Sequence, residues 1–192
     1  MSEHATTPTL TAYLQYAEPL AAVVADLTAP QWAAPSPCAG WSAADVVDHV
    51  VTTQRDYFER HEGDLGPAPE LAADPAAGWR THDAAVRRVL ADPALVSRAF
   101  DGFFGPTTVG ELFVQFYGFD LIVHRWDVAR SAGRDERFSD AELDTVERAI
   151  AGFGEHLYGE GICARPVEVP LDADRQTRVL ATLGRKASTL AL

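Results

Sequence analysis

The pattern of apolar and polar residues along the chain predicts a series of amphipathic helices. Apolar positions recur every three or four residues, the spacing typical of a helix with one buried face. The predicted elements are helices over residues 9–27, 41–62, 75–90, 108–133 and 139–158, a short helix or irregular link over 93–100, and a last amphipathic turn or two ending near Gly184. Val167-Glu168-Val169 is the only strand candidate, and prolines flank it.

Polar residues at the helix ends predict where the helices begin and stop. Three starts carry a hydroxyl residue followed three positions later by a carboxylate, which is the spacing of a capping box: Ser42 with Asp45, Thr108 with Glu111, and Ser139 with Glu142. Pro19 predicts a kink or break near Tyr16 in the first helix. Residues 28–41 are rich in proline and are predicted to be a loop, and residues 102–106 are a link into the 108–133 helix.

These elements predict an all-α fold, a four-helix bundle with additional short helices, because the helices are long and most links between them are short. The chain has 192 residues and is 47% hydrophobic, which is enough for a sizeable core and favours one domain over residues 1–192. No internal repeat or low-complexity tract divides it.

The net charge and the lack of recognised targeting segments limit which binding partners and which cellular compartment are expected. The formal net charge of −12 disfavours nucleic acids and anionic membranes, since both attract basic surfaces. Neither a signal peptide nor an apolar run of membrane-spanning length is recognised, so a cytoplasmic location is expected. Two cysteines, Cys38 and Cys163, suit a reducing compartment.

The 108–133 helix places ionisable residues on a stripe that should face the core. At roughly 100° per residue, Asp120, His124 and Asp127 share about a third of the circumference with apolar residues such as Phe116. Burial of such groups is costly unless they are paired or bind a metal ion. Asp120 and His124 are one turn apart and can direct an oxygen and a nitrogen at one point. This pair is read as two ligands of a metal site, or as a plain buried hydrogen bond.

His49 is the candidate third ligand, because it lies at the edge of the apolar stripe of the 41–62 helix. One carboxylate oxygen and two imidazole nitrogens form the three-ligand set of catalytic zinc with an open fourth position. The same set also accepts iron or nickel, so spacing does not identify the metal. Taken alone, a histidine at a stripe edge is more often a hydrogen-bonded core residue.

Further residues are assigned supporting roles. Asp127 and Asp45 are candidate hydrogen-bond acceptors for the two ligand imidazoles, or else an arginine partner and a helix cap. Asp127 and Tyr117 are the candidate general acid or base. Cys38 is interpreted as a structural or pocket-lining residue. The remaining assignments are solvent exposure for His4, His61, His82 and His156, and a place in the core or pocket wall for Trp41 and Trp126.

The motifs around these residues resemble one protein family. Residues 35–42 read Pro-Ser-Pro-Cys-Ala-Gly-Trp-Ser and, with Asp45 and His49, resemble the opening motif of the DinB-like, mycothiol-dependent maleylpyruvate isomerase N-terminal family. Residues 123–130, Val-His-Arg-Trp-Asp-Val-Ala-Arg, resemble its second motif. Residues 167–170 and 183–185 resemble an actinobacterial subgroup of metal-binding proteins with the same bundle.

The resemblance implies a DinB/YfiT-like four-helix bundle with a divalent metal, usually zinc and sometimes nickel, held by His49, His124 and the acid four residues before it. It also implies mycothiol or a related low-molecular-weight thiol as cosubstrate, and a homodimer as a candidate assembly. Two features depart from the family. Asp120 stands where glutamate is usual, and the 192 residues are expected to leave no room for the isomerase's sterol-carrier-like C-terminal domain, so maleylpyruvate isomerisation itself is not expected.

The leading hypothesis is a metal- and thiol-dependent transferase or isomerase that acts on an electrophilic small molecule in a cleft between the first, second and central helices. The alternative is a non-catalytic metal- or ligand-binding bundle with a stress or regulatory role. A purely structural bundle, with Asp120 and His124 as a buried hydrogen bond, is the third reading. Phosphate-binding loops, serine nucleophile elbows and CxxC motifs are not found.

Overall fold

The computed structural model describes residues 6–102, 104–159 and 161–186 and consists mainly of α-helices. The helices are α1 (Pro8–Ala25), α2 (Ala29–Trp32), α3 (Ala43–Arg60), α4 (Pro75–Leu90), α5 (Pro93–Val96), α6 (Val109–Ser131), α7 (Asp140–Phe153) and α8 (Arg175–Thr182). A 3₁₀ turn, Gly154–Tyr158, follows α7, and two short strands, β1 (Ala99–Gly102) and β2 (Gly105–Thr108), precede α6.

Side-chain caps fix the beginnings of the long helices. The predicted capping boxes of α3, α6 and α7 are all present, with the hydroxyl residue accepting from one backbone N–H and the carboxylate accepting from another. At α6, for example, Thr108 Oγ1 accepts from Glu111 N at 3.2 Å, and Glu111 Oε2 accepts from Thr108 N at 3.1 Å. These bonds satisfy N–H groups that a helix leaves without partners.

The all-α prediction is confirmed, with α1, α3, α4 and α6 forming the four-helix bundle. Helix α6 is the central element, since α1 and α3 pack against one side of it and α7 packs against another. Helix α4 completes the bundle by packing on α1 and α3. One apolar core fills the bundle, and a second lies where α6 meets α7 and α8. The expectation of one domain over residues 1–192 stays a prediction.

Helices α1 and α6 approach each other closely at Gly118. A Cβ atom at this position would lie 2.8 Å from Cε2 of Tyr16, so the close contact requires glycine. The predicted break near Tyr16 is not present, because α1 continues unbroken through Pro19. Burial of Ala17 and Leu20 on either side of the proline holds the helix together although proline cannot donate its backbone hydrogen bond.

Two local predictions are wrong. The 28–41 loop contains the short helix α2, which a Thr28–Gln31 capping box begins. The 102–106 link belongs to an antiparallel hairpin in which Ala99 pairs with Thr108 and Gly102 pairs with Gly105. The discounted strand candidate over 167–169 is indeed not a strand, although Val167 N donates to Ala181 O at 3.0 Å. Within the described residues, no helix combines the length and the apolar character that crossing a bilayer requires.

Candidate metal centre

The structure brings His49 of α3 together with Asp120 and His124 of α6. One potential ligand atom from each residue lies within 4.8 Å of the other two. Nε2 of His124 is 3.2 Å from Oδ1 of Asp120, and the ring centroids of His49 and His124 are 5.2 Å apart. The convergence follows from the packing of α3 on α6 and from the one-turn spacing of Asp120 and His124. Their role as ligands stays a prediction.

These three residues fit a divalent metal ion. In a tetrahedral zinc site with bonds of about 2.1 Å, neighbouring ligand atoms lie about 3.4 Å apart, close to the separation of Asp120 and His124. The second oxygen of Asp120, Oδ2, is buried and has no hydrogen-bond partner within the part of the chain that the structure describes. An unpartnered buried carboxylate oxygen is costly. A cation bound between the three side chains would satisfy it.

Electrostatics at the cluster favour a bound cation. Burial acts to raise the pKa of Asp120, but the charge and hydrogen bond of His124 outweigh it, and the pKa is lowered. Burial lowers the pKa of His49, with partial compensation by Asp120, so its imidazole is neutral and free to coordinate. Burial likewise opposes a charge on His124, yet Asp120 and Asp127 raise its pKa well above the usual value. A metal ion would take the place of that proton.

Asp127 orients the His124 ring from the other side. The carboxylate of Asp127 is fully buried, and its Oδ2 accepts from Nδ1 of His124 at 2.9 Å. This bond directs Nε2 of the ring towards Asp120, as a supporting acceptor does in metal sites. The sequence left open whether Asp127 supports His124 or pairs with an arginine. In the structure it does both.

The arginine is Arg185, which lies after α8 and was not among the site residues predicted from the sequence. Its Nη2 donates to Asp127 Oδ2 at 2.7 Å and its Nε donates to Oδ1 at 3.1 Å. Burial alone would raise the pKa of Asp127, but the charge of Arg185 and the hydrogen bond from His124 hold it well below its usual range. The only sequence signal was the Leu183-Gly184-Arg185 motif, to which no role had been assigned.

Both cysteines contact the same guanidinium. Cys38 Sγ is 3.5 Å from Nη2 of Arg185 and donates to Asp127 Oδ2 at 3.3 Å. Cys163 Sγ is 4.0 Å from Nη1, and burial raises the pKa of its thiol. Cys38 therefore lies beside the candidate site, and its interpretation as a structural or pocket-lining residue stays a prediction.

A second set of potential ligands shares His124. Cys38, His124 and Asp127 also offer three ligand atoms within 4.8 Å of one another. The guanidinium of Arg185 already supplies a positive charge to this set, because it lies within 3.5 Å of both Asp127 and Cys38. The set of His49, Asp120 and His124 is consequently the better candidate for a metal ion.

The other assigned residues have defined contacts. Asp45 Oδ2 accepts from Ser42 N at 2.8 Å, and the hydrogen bonds from Ser42 lower the pKa of Asp45, so its helix-cap role is the one observed. Tyr117 donates its hydroxyl to Thr53 O at 2.7 Å, and burial raises its pKa. Its catalytic role, like that of Asp127, stays a prediction.

The surrounding aromatic and histidine residues divide into wall, core and surface. The ring of Trp41 packs on His49 with 4.9 Å between centroids, and Trp126 is buried in the second core. His156 is exposed, and His61 is half-buried between the rings of Tyr57 and Phe100. His4 lies outside the described residues.

The expectation that His82 is exposed is wrong. Its side chain is fully buried, and its Nε2 lies 2.9 Å from Oε1 of Gln54. It occupies the inner face of α4, one turn after the buried Trp79, because α4 turns this face towards α3.

Two cavities lie away from the cluster. They have volumes of about 630 and 520 Å³ and follow the groove that α1 forms with α6 and α7, where both are lined by Tyr16, Thr145 and Arg148. The three metal-ligand candidates line neither cavity. A cleft for the electrophile between α1, α3 and α6 stays a prediction.

Comparison with known proteins gives one family model that matches part of the chain, and two relatives. The chain is 28% identical over 159 residues to uncharacterized proteins from two strains of Mycobacterium tuberculosis, CDC 1551 / Oshkosh and ATCC 25618 / H37Rv, with 79% of this chain and 83% of each relative covered. No solved structure matches the chain. Residues 13–63, which include His49, match the family model of the mycothiol maleylpyruvate isomerase N-terminal domain, so the resemblance predicted from the motifs is confirmed.

Proposed function

We propose that the protein binds a divalent metal ion through His49, Asp120 and His124, and that it transfers mycothiol or a related low-molecular-weight thiol to an electrophilic small molecule. The unpartnered Oδ2 of Asp120 is the observation that carries this proposal. It lies in a cluster whose three donor types are those of catalytic zinc. Zinc is the proposed metal, with nickel as the alternative, since both accept this donor set.

Each residue has a role in the proposed reaction. A bound divalent metal ion would supply the charge that holds a coordinated thiol as its thiolate. His49 and His124 provide neutral nitrogen ligands, and Asp120 provides the negative charge. Asp127 keeps the His124 ring oriented through Nδ1. Trp41 packs on His49 and excludes water from one side of that ring.

Metal analysis tests the first step. The full chain, purified without chelators, is expected to contain one equivalent of a divalent metal, and the His49→Ala variant is expected to lose most of it. The exposed His156 supplies a control, since His156→Ala should leave the metal content unchanged. Metal-free wild-type protein, or equal content in the His49→Ala variant, would overturn the proposal.

Thiol transfer tests the second step. Mycothiol and a panel of electrophiles, including an alkyl halide and an aromatic halide, are incubated with the metal-loaded protein, and the loss of free thiol is followed. The wild-type protein should accelerate at least one reaction, and the His49→Ala variant should not.

One observation favours the alternative of a non-catalytic metal- or ligand-binding bundle. Tyr117 donates its hydroxyl to a backbone carbonyl, and Arg185 holds the carboxylate of Asp127. Both groups expected to handle protons are therefore already engaged. Bound metal without turnover across the whole panel would support this alternative.

A further inference from the structure

The guanidinium of Arg185 lies on the opposite side of His124 from His49 and Asp120. It is buried, and its Nη1 also donates to Leu183 O at 3.0 Å. Together with its bonds to Asp127 and its contacts to both cysteines, this places all three of its nitrogens against defined partners. Because every nitrogen of this buried guanidinium has a partner, the side chain is held in one defined position.

We infer that Arg185 is a positioning residue that confines metal binding to one side of His124. Its guanidinium takes the place of a second cation among Cys38, Asp127 and Nδ1 of His124, so that only Nε2 is left to coordinate. The inference rests on the proposed function, because it assumes that His49, Asp120 and His124 bind the metal ion.

The chemistry of the second donor set makes this restriction necessary. A thiol, a carboxylate and an imidazole are the donors that zinc and other borderline-soft metals prefer. All three are already within 4.8 Å of one another, so no rearrangement of the backbone is needed to bind a cation there. An imidazole that used Nδ1 for this metal would lose its bond to Asp127 and the orientation of Nε2.

Arginine suits this role better than lysine. Its planar guanidinium bonds both oxygens of Asp127 at once, with Nη2 2.7 Å from Oδ2 and Nε 3.1 Å from Oδ1. A lysine ammonium is a point charge and cannot reproduce this fork. Burial opposes the charge of Arg185, but Asp127 raises its pKa, so the guanidinium is permanently charged.

The end of α8 delivers Arg185 to this position. Gly184 has a φ of +76°, in the left-handed region that favours glycine, and a Cβ there would lie 2.6 Å from Cβ of Ala164 and 2.9 Å from its carbonyl oxygen. Arg185 N donates to Leu180 O at 2.9 Å, which closes the helix end. The glycine thus turns the chain so that the next side chain enters the core.

Cobalt binding to the metal-free full chain tests the inference. A thiolate ligand gives Co²⁺ an intense near-ultraviolet charge-transfer band, whereas nitrogen and oxygen ligands do not. The wild-type protein should bind one Co²⁺ without this band. The Arg185→Gln variant should show the band as the Cys38 proton is released, and its affinity at the original site should fall by about 10- to 100-fold. The double variant Arg185→Gln, Cys38→Ser should lose the band again.

Controls separate a positioning role from a structural one. Arg175 clamps Asp144 and Glu147 on α7, so Arg175→Gln removes an arginine far from the cluster and should bind Co²⁺ like the wild type. A merely structural Arg185 would lower the melting temperature of the Gln variant but leave its cobalt spectrum and affinity unchanged, and that result overturns the inference.

The remaining outcomes of the cobalt experiment also decide the inference. If Arg185→Gln does not fold, Arg185→Lys takes its place, and the expected result is about 10-fold weaker binding without the thiolate band. Wild-type affinity in the Lys variant would overturn the inference. A wild-type protein that binds no Co²⁺ overturns the inference and the proposed function together, whereas normal wild-type binding that Arg185→Gln leaves intact overturns only the role of Arg185.

Discussion

At the scale of single residues, Asp120 carries the largest consequence, because its two oxygens have different environments. Oδ1 faces His124 at 3.2 Å, and Oδ2 is buried without a partner among the described residues. A cation bound beside Oδ2 would supply the missing partner. The charge of Asp120 is therefore the property to change.

Asp120→Asn should weaken metal binding by on the order of 100-fold, because the substitution keeps the shape of the side chain and removes the negative ligand. Competition with a chromophoric chelator measures the dissociation constant. Asp48, exposed on α3 next to His49, provides the control, since Asp48→Asn removes one charge without removing a ligand. Equal weakening by both substitutions would mean that general negative charge, and not ligation, attracts the metal.

His82 links stability to pH. Burial lowers its pKa to about 3 from the ordinary value of 6.5, and the charge of Arg55 contributes. Above the unfolded pKa both states are neutral. As the pH falls below about 6.5, the unfolded state takes up a proton that the folded state refuses, so the free energy of unfolding falls by about 1.4 kcal/mol per pH unit until the pH nears the folded pKa.

The His82→Gln substitution removes the imidazole that takes up this proton, and it keeps a side chain that can hydrogen-bond to Gln54. Between pH 6.5 and 4.5 the wild type should lose about 2–3 kcal/mol more stability than His82→Gln. Urea unfolding of both proteins at a series of pH values gives the difference, in which the titration of the other groups cancels. If the stability of the two proteins fell in parallel as the pH is lowered, His82 would take up its proton as readily in the folded state as in the unfolded state, which would contradict the argument.

Only part of the candidate site could be predicted from the sequence at this scale. The pairing of Asp120, His124 and Asp127 could be predicted because helical periodicity places residues three and four apart on one face. Arg185 could not be predicted, because it lies 58 residues from Asp127 and reaches it only through the turn at the end of α8. His82 was assigned to the surface because the apolar face of its helix is poorly marked in the sequence.

At the scale of whole elements, capping determined which boundaries could be predicted. The boxes at Ser42, Thr108 and Ser139 are local signals, and the helices begin where they indicate. The β1–β2 hairpin was missed, since strands of four residues are too short to show an alternating pattern. Short elements of this kind depend on tertiary contacts more than on their own sequence.

The cap of α6 should be measurable by itself. Thr108→Ala removes the hydroxyl that accepts from Glu111 N and should lower the free energy of unfolding by about 1 kcal/mol. Metal affinity should change little, because Asp120 and His124 lie three turns or more along the helix. Thr81→Ala, an exposed substitution within α4, should cost less than about 0.5 kcal/mol. If unfolding in guanidinium chloride showed the same loss in free energy of unfolding for both variants, the capping argument would be contradicted.

Alanine at two glycine positions should change the stability of the protein in opposite directions, because the two positions are packed differently. Gly118→Ala should destabilise the protein by about 1–3 kcal/mol, because the new Cβ would press on the ring of Tyr16 between α1 and α6. Gly152→Ala in α7 meets nothing within 4 Å and should stabilise it by about 0.5–1 kcal/mol through helix propensity. Denaturation midpoints of the two variants decide the point, and a stabilised Gly118→Ala protein would show that Tyr16 moves aside at no cost.

At the scale of the whole molecule, the candidate metal site joins two helices of the bundle. His49 lies on α3 and the other two candidate ligands lie on α6, so a bound ion would connect elements far apart in the sequence. Unfolding separates them and destroys the site. Metal binding must therefore stabilise the folded chain as a unit, by an amount that depends on the concentration and affinity of the ion.

Thermal melts of the full chain in chelator and in zinc measure this linkage. At a free zinc concentration 100 times the dissociation constant, the folded state should gain about 2.7 kcal/mol, and the melting temperature should rise by about 5–11 °C for a chain of this size. His49→Ala should show almost none of this increase. The net charge of −12 provides a competing explanation, because an acidic surface attracts divalent cations without a specific site. Magnesium at the same concentration reproduces that nonspecific attraction but binds imidazole poorly. Equal stabilisation by zinc and magnesium, or by zinc in wild type and His49→Ala, would therefore place the effect on the surface and not at the three side chains.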